Sequence, residues 1–199
     1  MSLNLSCKTE KLGHEAKQLT DEEIHKLLNS DVVLSTFKQQ KLEKDAKKNW
    51  DLFYKRNLNK FFKDRHWTTR EFQELLQIEN VDDDISEQKY SKNLLEVGCG
   101  VGNFIWPLIK NGLNFNYFAC DFSPVAVELF QKHEFYNENL CQVFVADVSE
   151  PNGIKSKLKQ NVRFHVVSLI FVLSAIHPEK MLTTLKNIHE VCLLLIKCR

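Results

Sequence analysis

Three glycines separated by single residues follow a short apolar run near the middle of the chain. Gly98, Gly100 and Gly102 give the spacing G-x-G-x-G directly after residues 94–97. Without a Cβ, glycine lets the backbone turn tightly and lets a ligand approach main-chain atoms. The G-x-G-x-x-G spacing that places a pyrophosphate on a helix N-terminus is absent, which argues against a nicotinamide dehydrogenase. The spacing therefore favours a ligand that carries no phosphate at this turn.

Acidic residues end the next two predicted strands. Asp121 closes the second strand, and Asp147 closes the third. Parallel sheets bind ligands outside the carboxyl ends of their strands, so both carboxylates are expected beside the glycine turn. Asp121 is suited to accept hydrogen bonds from two ribose hydroxyls, and Asp147 can meet an adenine amino group. Residues 93–147 therefore predict a site for S-adenosylmethionine.

Methyl transfer from a sulfonium is an in-line displacement in which the enzyme gains mostly by positioning its reactants. Such chemistry requires neither a protein nucleophile nor a metal. The sequence agrees, because it contains no G-x-S-x-G, H-E-x-x-H or P-loop motif. We accordingly predict no metal ligand, and the sequence does not identify a catalytic side chain.

Apolar runs and helical patterns alternate through the second half of the chain. Ser123 and Pro124 are typical of a helix N-cap and its first residue. His177 stands before Pro178, where it could face a substrate or cap a helix. The predicted strands are 94–97, 115–120, 142–146 and 164–173, and the predicted helices are 104–110, 124–132 and 178–191. This order predicts an α/β fold with a doubly wound parallel sheet.

The first part of the chain has a helical pattern and a different composition. We predict a flexible segment at 1–20, a helical extension at 21–78, an acidic linker at 79–92 and a cofactor-binding domain at 93–199. Within the extension, Thr68 and Glu71 suggest a capping box for a helix over 69–77. Trp50 and Tyr54 lie four residues apart, so one helix face could lay both rings over a cofactor or pack them into a core.

Charge is unevenly distributed, although the net charge of the 199 residues is +1. Eleven basic and five acidic residues lie between residues 38 and 71, interleaved with aromatic residues. This stretch is either a nucleic-acid surface or an ordinary solvated helix face.

The six cysteines form no CxxC, which favours reduced, buried thiols in an intracellular protein. No apolar run reaches the roughly 18 residues of a membrane span, so no membrane partner is expected.

The chain resembles the methyltransferase-like family that makes 3-methylcytidine in tRNA. The glycine turn and residues 119–124 and 170–178 carry the general part of this resemblance. Residues 49–56 and 61–72 carry the more specific part, because generic methyltransferases lack this upstream segment. The resemblance covers about residues 32–191 and implies a class I, Rossmann-like fold.

The resemblance also implies a set of site residues and partners. Cofactor contacts are implied at Trp50, Tyr54, Gly98, Asp121, Asp147 and Ile170, and neighbouring Gly100 is added to them. Arg65, His66 and Trp67 are the expected substrate contacts. The branch that acts on serine tRNA in the cytosol is most similar, which implies serine tRNA, its anticodon loop and seryl-tRNA synthetase. The implied compartment is the cytoplasm, with the nucleus as a second one.

The final residues depart from the family pattern. After Val191 the family continues with a lysine-proline-glycine turn and three more strands, whereas this chain ends in a short apolar tail. We therefore expect a sheet that is incomplete at its C-terminal side, as in a truncated form. Two hypotheses stay open: a tRNA cytidine methyltransferase, or a non-catalytic form that retains tRNA or seryl-tRNA synthetase binding.

Overall fold

The computed structural model describes residues 18–29, 34–73, 75–76, 92–159 and 162–193. Most of the predicted flexible N-terminus, nearly all of the predicted acidic linker and the apolar tail after residue 193 lie outside these ranges. The helices whose bounds lie within these ranges are α1 Asp21–Leu28, α2 Thr36–Asn57, α3 Thr68–Glu71, α4 Ile105–Lys110, α5 Pro124–Gln131 and α6 Pro178–Val191. Four strands are β1 Lys92–Val97, β2 Phe115–Asp121, β3 Cys141–Val145 and β4 Val166–Ser168.

The four strands form one parallel sheet in the order β3-β2-β1-β4. Leu95 of β1 is in register with Phe118 of β2 on one side and with Val167 of β4 on the other. The chain order reverses between β1 and β4, and this switch point opens a crevice at the carboxyl ends of the strands. The glycine turn follows β1 directly, so the sheet places it at that crevice.

Successive side chains of the central strands enter two separate apolar layers. Leu94 packs with Ile105 of α4 and Phe130 of α5, whereas Leu95 packs with Ile188 of α6. Helices therefore cover both faces of the sheet, which confirms the predicted doubly wound fold. The apolar runs of β1 and β2 reflect this double burial, as expected for central parallel strands.

The helix ends agree with the local signals in the second half of the chain. The Ser123 side chain accepts a hydrogen bond from the backbone N–H of Ala126 at 3.2 Å, which caps α5. His177 accepts from the N–H of Glu179 at 3.4 Å, which caps α6, and the same residue also lines the pocket at the carboxyl ends of the strands. Both helices begin with proline, whose fixed φ suits the first helical turn.

The helical extension predicted at 21–78 contains α1 and α2, and it differs from the prediction at Thr68. The predicted capping box at Thr68 is wrong, because Thr68 lies inside the first turn and its hydroxyl donates to Arg65 O at 2.9 Å. The reciprocal box is instead formed by Thr20 and Glu23 at the start of α1.

The fourth strand is shorter than the predicted 164–173. The extended backbone ends at Ser168, and Phe171 has a positive φ of 60° that no strand residue adopts. A 3₁₀ turn at Leu173–Ala175 then leads to α6. Phe164 pairs only with Cys192, in an isolated parallel bridge. The end of this apolar run is therefore a partly buried loop rather than a strand, and Phe171 within it is exposed.

Candidate functional site

The turn after β1 is built from glycines that no other residue could replace without displacing neighbours. Gly98 and Gly100 have φ values of 65° and 54°, in the left-handed region. A Cβ at Gly98 would stand 2.4 Å from Val172 Cγ2, and one at Gly100 would stand 2.7 Å from Tyr54 Oη. The turn is thus a bare main-chain cradle with side chains approaching it from two sides.

Asp121 clamps this turn from the end of β2. One carboxylate oxygen accepts from the N–H of Gly100 at 2.8 Å, and the other accepts from the N–H of Ser123 at 2.8 Å. Burial raises the pKa of the Asp121 carboxyl, and the backbone N–H donors oppose that rise. The carboxylate therefore faces the glycine turn, as the strand-end spacing predicts.

Asp147 follows β3 in the same crevice. Its Oδ1 accepts from the N–H of Ser149 at 2.9 Å and from the hydroxyl of Ser149 at 2.6 Å. These bonds fix the carboxyl orientation and leave its second oxygen for another donor.

One pocket of about 380 Å³ connects these features. It gathers eight of the residues singled out from the sequence: Trp50, Tyr54, Arg65, Gly98, Gly100, Asp121, Asp147 and Ile170. Two expected substrate residues do not line it. His66 is exposed, and the Trp67 ring packs against Phe72 with 6.0 Å between ring centroids.

Helix α2 covers the pocket and also belongs to the core. The Trp50 and Tyr54 rings stack with centroids 6.1 Å apart, and Tyr54 is buried against Val101 and Ala126. The Ser123 hydroxyl bonds Asp51 at 2.5 Å, which ties α2 to the start of α5. Burial strongly raises the pKa of the Tyr54 hydroxyl. The two alternatives for these aromatics are compatible, because the rings pack and line the pocket at once.

A charged pair links α2 to α6 beside the pocket. Lys180 Nζ of α6 lies 3.1 Å from Glu43 Oε2 of α2, and both residues line the pocket. The hydrogen bond to Glu43 raises the pKa of Lys180. The helical extension is therefore fastened to the sheet domain at both ends of the pocket.

Glu96 is a site residue that the sequence reasoning missed. It is 4% exposed at the end of β1, it lines the pocket, and its Oε2 has no hydrogen-bond partner within the described residues. Burial raises the pKa of Glu96 well above its usual value, and the nearby Arg65 guanidinium partly offsets this. A buried carboxyl with a free oxygen is costly unless a donor occupies it. The available signal was an acidic residue inside an otherwise apolar strand.

A short segment brings Arg65 to the pocket. The N–H of Arg65 donates to Asn103 O at 2.7 Å, and the Asn103 side chain donates to Phe62 O and Asp64 Oδ1 at 3.3 and 3.1 Å. Asn103 follows the last glycine of the turn, so the turn and the segment around Arg65 are held together.

Residues 95–193 match a family model described as a methyltransferase domain. Mouse tRNA N(3)-cytidine methyltransferase METTL6 is 49% identical over 179 residues, covering 90% of this chain and 61% of that protein. Fission yeast tRNA N(3)-methylcytidine methyltransferase trm141 is 42% identical, covering 79% and 60%. Mouse mitochondrial tRNA N(3)-cytidine methyltransferase METTL8 is 31% identical, covering 77% of this chain and 75% of that protein.

The chain belongs to the tRNA N(3)-cytidine methyltransferase family. It spans about 60% of the length of the METTL6 and trm141 proteins that it matches. Among solved structures, an S-adenosylmethionine-dependent methyltransferase from Anabaena variabilis aligns with a TM-score of 0.48 and 13% identity, covering 72% of this chain and 57% of the other.

Within the described ranges, no helix combines the length and the apolar character that a membrane span requires. No group of three or more His, Cys, Asp or Glu residues in that part of the chain could hold a metal ion.

Proposed function

We propose that this chain is an S-adenosylmethionine-dependent methyltransferase that forms 3-methylcytidine in tRNA. One observation carries the proposal: a glycine cradle, clamped by Asp121, shares a pocket with a Glu96 carboxyl oxygen that has no hydrogen-bond partner among the described residues. Membership of the tRNA N(3)-cytidine methyltransferase family supplies the substrate class.

The polar groups of the pocket match those of the cofactor one by one. An ionised carboxylate has about four lone-pair sites. Asp121 accepts from the backbone N–H groups of Gly100, Ser123 and Phe122, so about one lone-pair site remains for a ribose hydroxyl. Asp147 can accept from the adenine amino group, and Glu96 can accept from the methionyl ammonium. Trp50 and Tyr54 would cover the bound group.

The cofactor, when bound, supplies an electrophilic methyl group whose transfer to the cytosine N3 lone pair leaves the base positively charged. N3 carries no proton, so the pocket needs no general base. The contribution of the protein is to hold both reactants in line and to exclude water. Buried Tyr54 and half-buried Trp50 exclude water on the α2 side. Carboxylates near the base would stabilise its developing charge.

The outer face of α2 supports an RNA interaction. Lys41, Lys44, Lys48 and Lys55 recur at helical spacing and are exposed. They lie opposite the residues of α2 that line the pocket, namely Glu43, Ala46, Trp50 and Tyr54. None of the four lysines forms an ion pair with another residue that the structure describes. Such a row can neutralise successive phosphates while the other face of the helix covers the cofactor.

The finer proposals follow the resemblance to the cytosolic serine-tRNA branch. We propose the anticodon loop of serine tRNA as substrate, seryl-tRNA synthetase as partner, and the cytoplasm and nucleus as compartments. The names of the relatives support tRNA as the substrate class and N3 of cytidine as the methylated atom.

The direct test is methyl transfer from radiolabelled S-adenosylmethionine to unmodified serine tRNA, with and without seryl-tRNA synthetase. The expected product is 3-methylcytidine in the anticodon loop, detected by nucleoside mass spectrometry. A tRNA with the target cytidine changed to uridine is the control. Binding of S-adenosylhomocysteine and tRNA without turnover would instead assign the non-catalytic binding role. Absence of both binding and turnover would reject the proposed function.

A further inference from the structure

Phe171 stands at the mouth of the pocket with 72% of its surface exposed. Its φ of 60° lies in the left-handed region, a backbone conformation that residues other than glycine seldom adopt. The neighbours explain why the backbone accepts this conformation. Ile170 packs against the first apolar layer, and Val172 packs against the second, beside Gly98. The packing of these two partly buried neighbours holds the Phe171 ring outward.

The Arg65 guanidinium lies over one side of this ring, with its central carbon 5.1 Å from the ring centroid. This is the geometry of a cation–π contact. Arg65 is itself tied to the glycine turn through Asn103. The Phe171 ring is therefore held from one side, and the large exposed fraction shows that much of the ring remains open to solvent.

The position of Phe171 in the sheet separates it from the cofactor groups. Asp121 and Asp147 follow β2 and β3, on one side of β1, whereas Phe171 follows β4 on the other side. A cofactor held by these carboxylates would extend from the glycine turn toward β3. Apart from Ile170, the side of the pocket next to β4 is then left for the molecule that receives the methyl group.

We propose that Phe171 is the platform on which the unpaired target base stacks, with Arg65 holding the ring from its other side. This inference rests on the proposed function and assigns it a substrate-contacting residue. Aromatic side chains stack on unpaired RNA bases because every base presents a π-face. A cytosine methylated at N3 is positively charged, and the face of an aromatic ring attracts positive charge. Phe171 would thus favour both capture of the base and formation of the charged product.

The test measures coupling between Phe171 and the base itself. The full 199-residue chain is loaded with S-adenosylhomocysteine. It is titrated into a labelled anticodon stem–loop RNA with one unpaired cytidine, and into the same RNA with an abasic site at that position. The variants are Phe171→Leu and Phe171→Trp. Phe135→Leu is the matched control, because Phe135 is also exposed but does not line the pocket.

Phe171→Leu is expected to weaken binding of the cytidine RNA by about tenfold, as loss of one stacked base does. The same variant should bind the abasic RNA as wild type does, and Phe171→Trp should retain the affinity for the cytidine RNA. Affinity for S-adenosylhomocysteine should change by less than about twofold in either variant, which also reports that the fold is intact.

Equal losses on the cytidine and abasic RNAs, or no loss on either, would overturn the role of Phe171 and leave the proposed function standing. The same holds if Phe171→Trp fails to bind the cytidine RNA while keeping its affinity for S-adenosylhomocysteine. A wild-type chain that binds neither S-adenosylhomocysteine nor the cytidine RNA would overturn the proposed function together with this inference.

Discussion

The Tyr54 hydroxyl lies directly over Gly100, so that a Cβ built on this glycine would stand 2.7 Å from Tyr54 Oη. This close approach brings the helical extension into contact with the glycine turn. The extension is therefore a wall of the pocket, and the affinity for a ligand should depend on how closely α2 approaches the turn.

Gly100→Ala tests this approach. Alanine at a φ of 54° costs about 1–2 kcal/mol on conformational grounds alone, and the contact with Tyr54 must add to that by displacing α2. We expect a large loss of affinity for S-adenosylhomocysteine by calorimetry, and a lower melting temperature. Gly112→Ala is the matched control, because its φ is 79° but a Cβ there meets nothing within 4 Å. Equal effects of both substitutions on affinity would contradict a role for the approach of Tyr54.

The substitution Glu96→Gln tests how ionisation of this buried carboxyl affects the stability of the free protein. Burial raises the pKa of Glu96, so its ionised form opposes folding, and stability should fall as pH rises above the ordinary glutamate pKa. The amide cannot ionise, so Glu96→Gln should be more stable to unfolding than the wild-type protein at pH 8, and the gain should be smaller at pH 5. Urea unfolding at pH 5 and pH 8 measures this difference. Similar stabilities of the two proteins at pH 8 would mean that Glu96 ionises without penalty.

Cofactor binding should release a proton from Glu96. A methionyl ammonium beside the carboxyl favours its ionised form, so the pKa of Glu96 falls on binding and the proton leaves. Calorimetric titrations of S-adenosylhomocysteine at several values between pH 5 and pH 8, in buffers of different ionisation enthalpy, count the released protons. Glu96→Gln should abolish the release and weaken binding by about tenfold or more. Unchanged proton release in the variant would assign the proton to another group.

The lysine row on α2 should control the salt dependence of tRNA binding. Replacing Lys41, Lys44, Lys48 and Lys55 with alanine removes four candidate phosphate contacts. The slope of log K against log salt should become shallower by about 3, at roughly 0.7–0.9 per contact. Fluorescence anisotropy over a salt series measures the slope. The control replaces four exposed lysines elsewhere in the domain, namely Lys110, Lys132, Lys157 and Lys186. The same change of slope in the control would show a general effect of net charge.

Asn103→Ala should impair substrate binding more than cofactor binding. Its amide holds Phe62 O and Asp64 Oδ1, and so fixes the segment that carries Arg65. Without it, we expect about a fivefold loss of tRNA affinity, close to 1 kcal/mol for lost hydrogen bonds, and near wild-type binding of S-adenosylhomocysteine. Asn139→Ala, at an exposed turn away from the pocket, is the control. Parallel losses for both ligands would show that Asn103 supports the whole turn instead.

Short-range patterns were sufficient for much of the fold and part of the site. The glycine spacing at 98–102 and the strand-end positions of Asp121 and Asp147 follow from local geometry, and the structure brings them into one pocket. Ser123 and Pro124 predicted the start of α5 correctly for the same reason. Thr68 shows the limit, because a capping box in the sequence does not specify which residue precedes the first helical turn.

The tertiary structure alone decided which side chains share an environment. Glu96 reads in the sequence as one acid among apolar neighbours, and only the folded chain shows that one of its oxygens is buried without a partner in the described part. Arg65 and Phe171 are distant in the chain, and their contact depends on how the extension docks and on the left-handed backbone at Phe171. Spacing along a chain determines local backbone geometry, whereas burial, charge coupling and long-range contacts exist only after distant segments pack together.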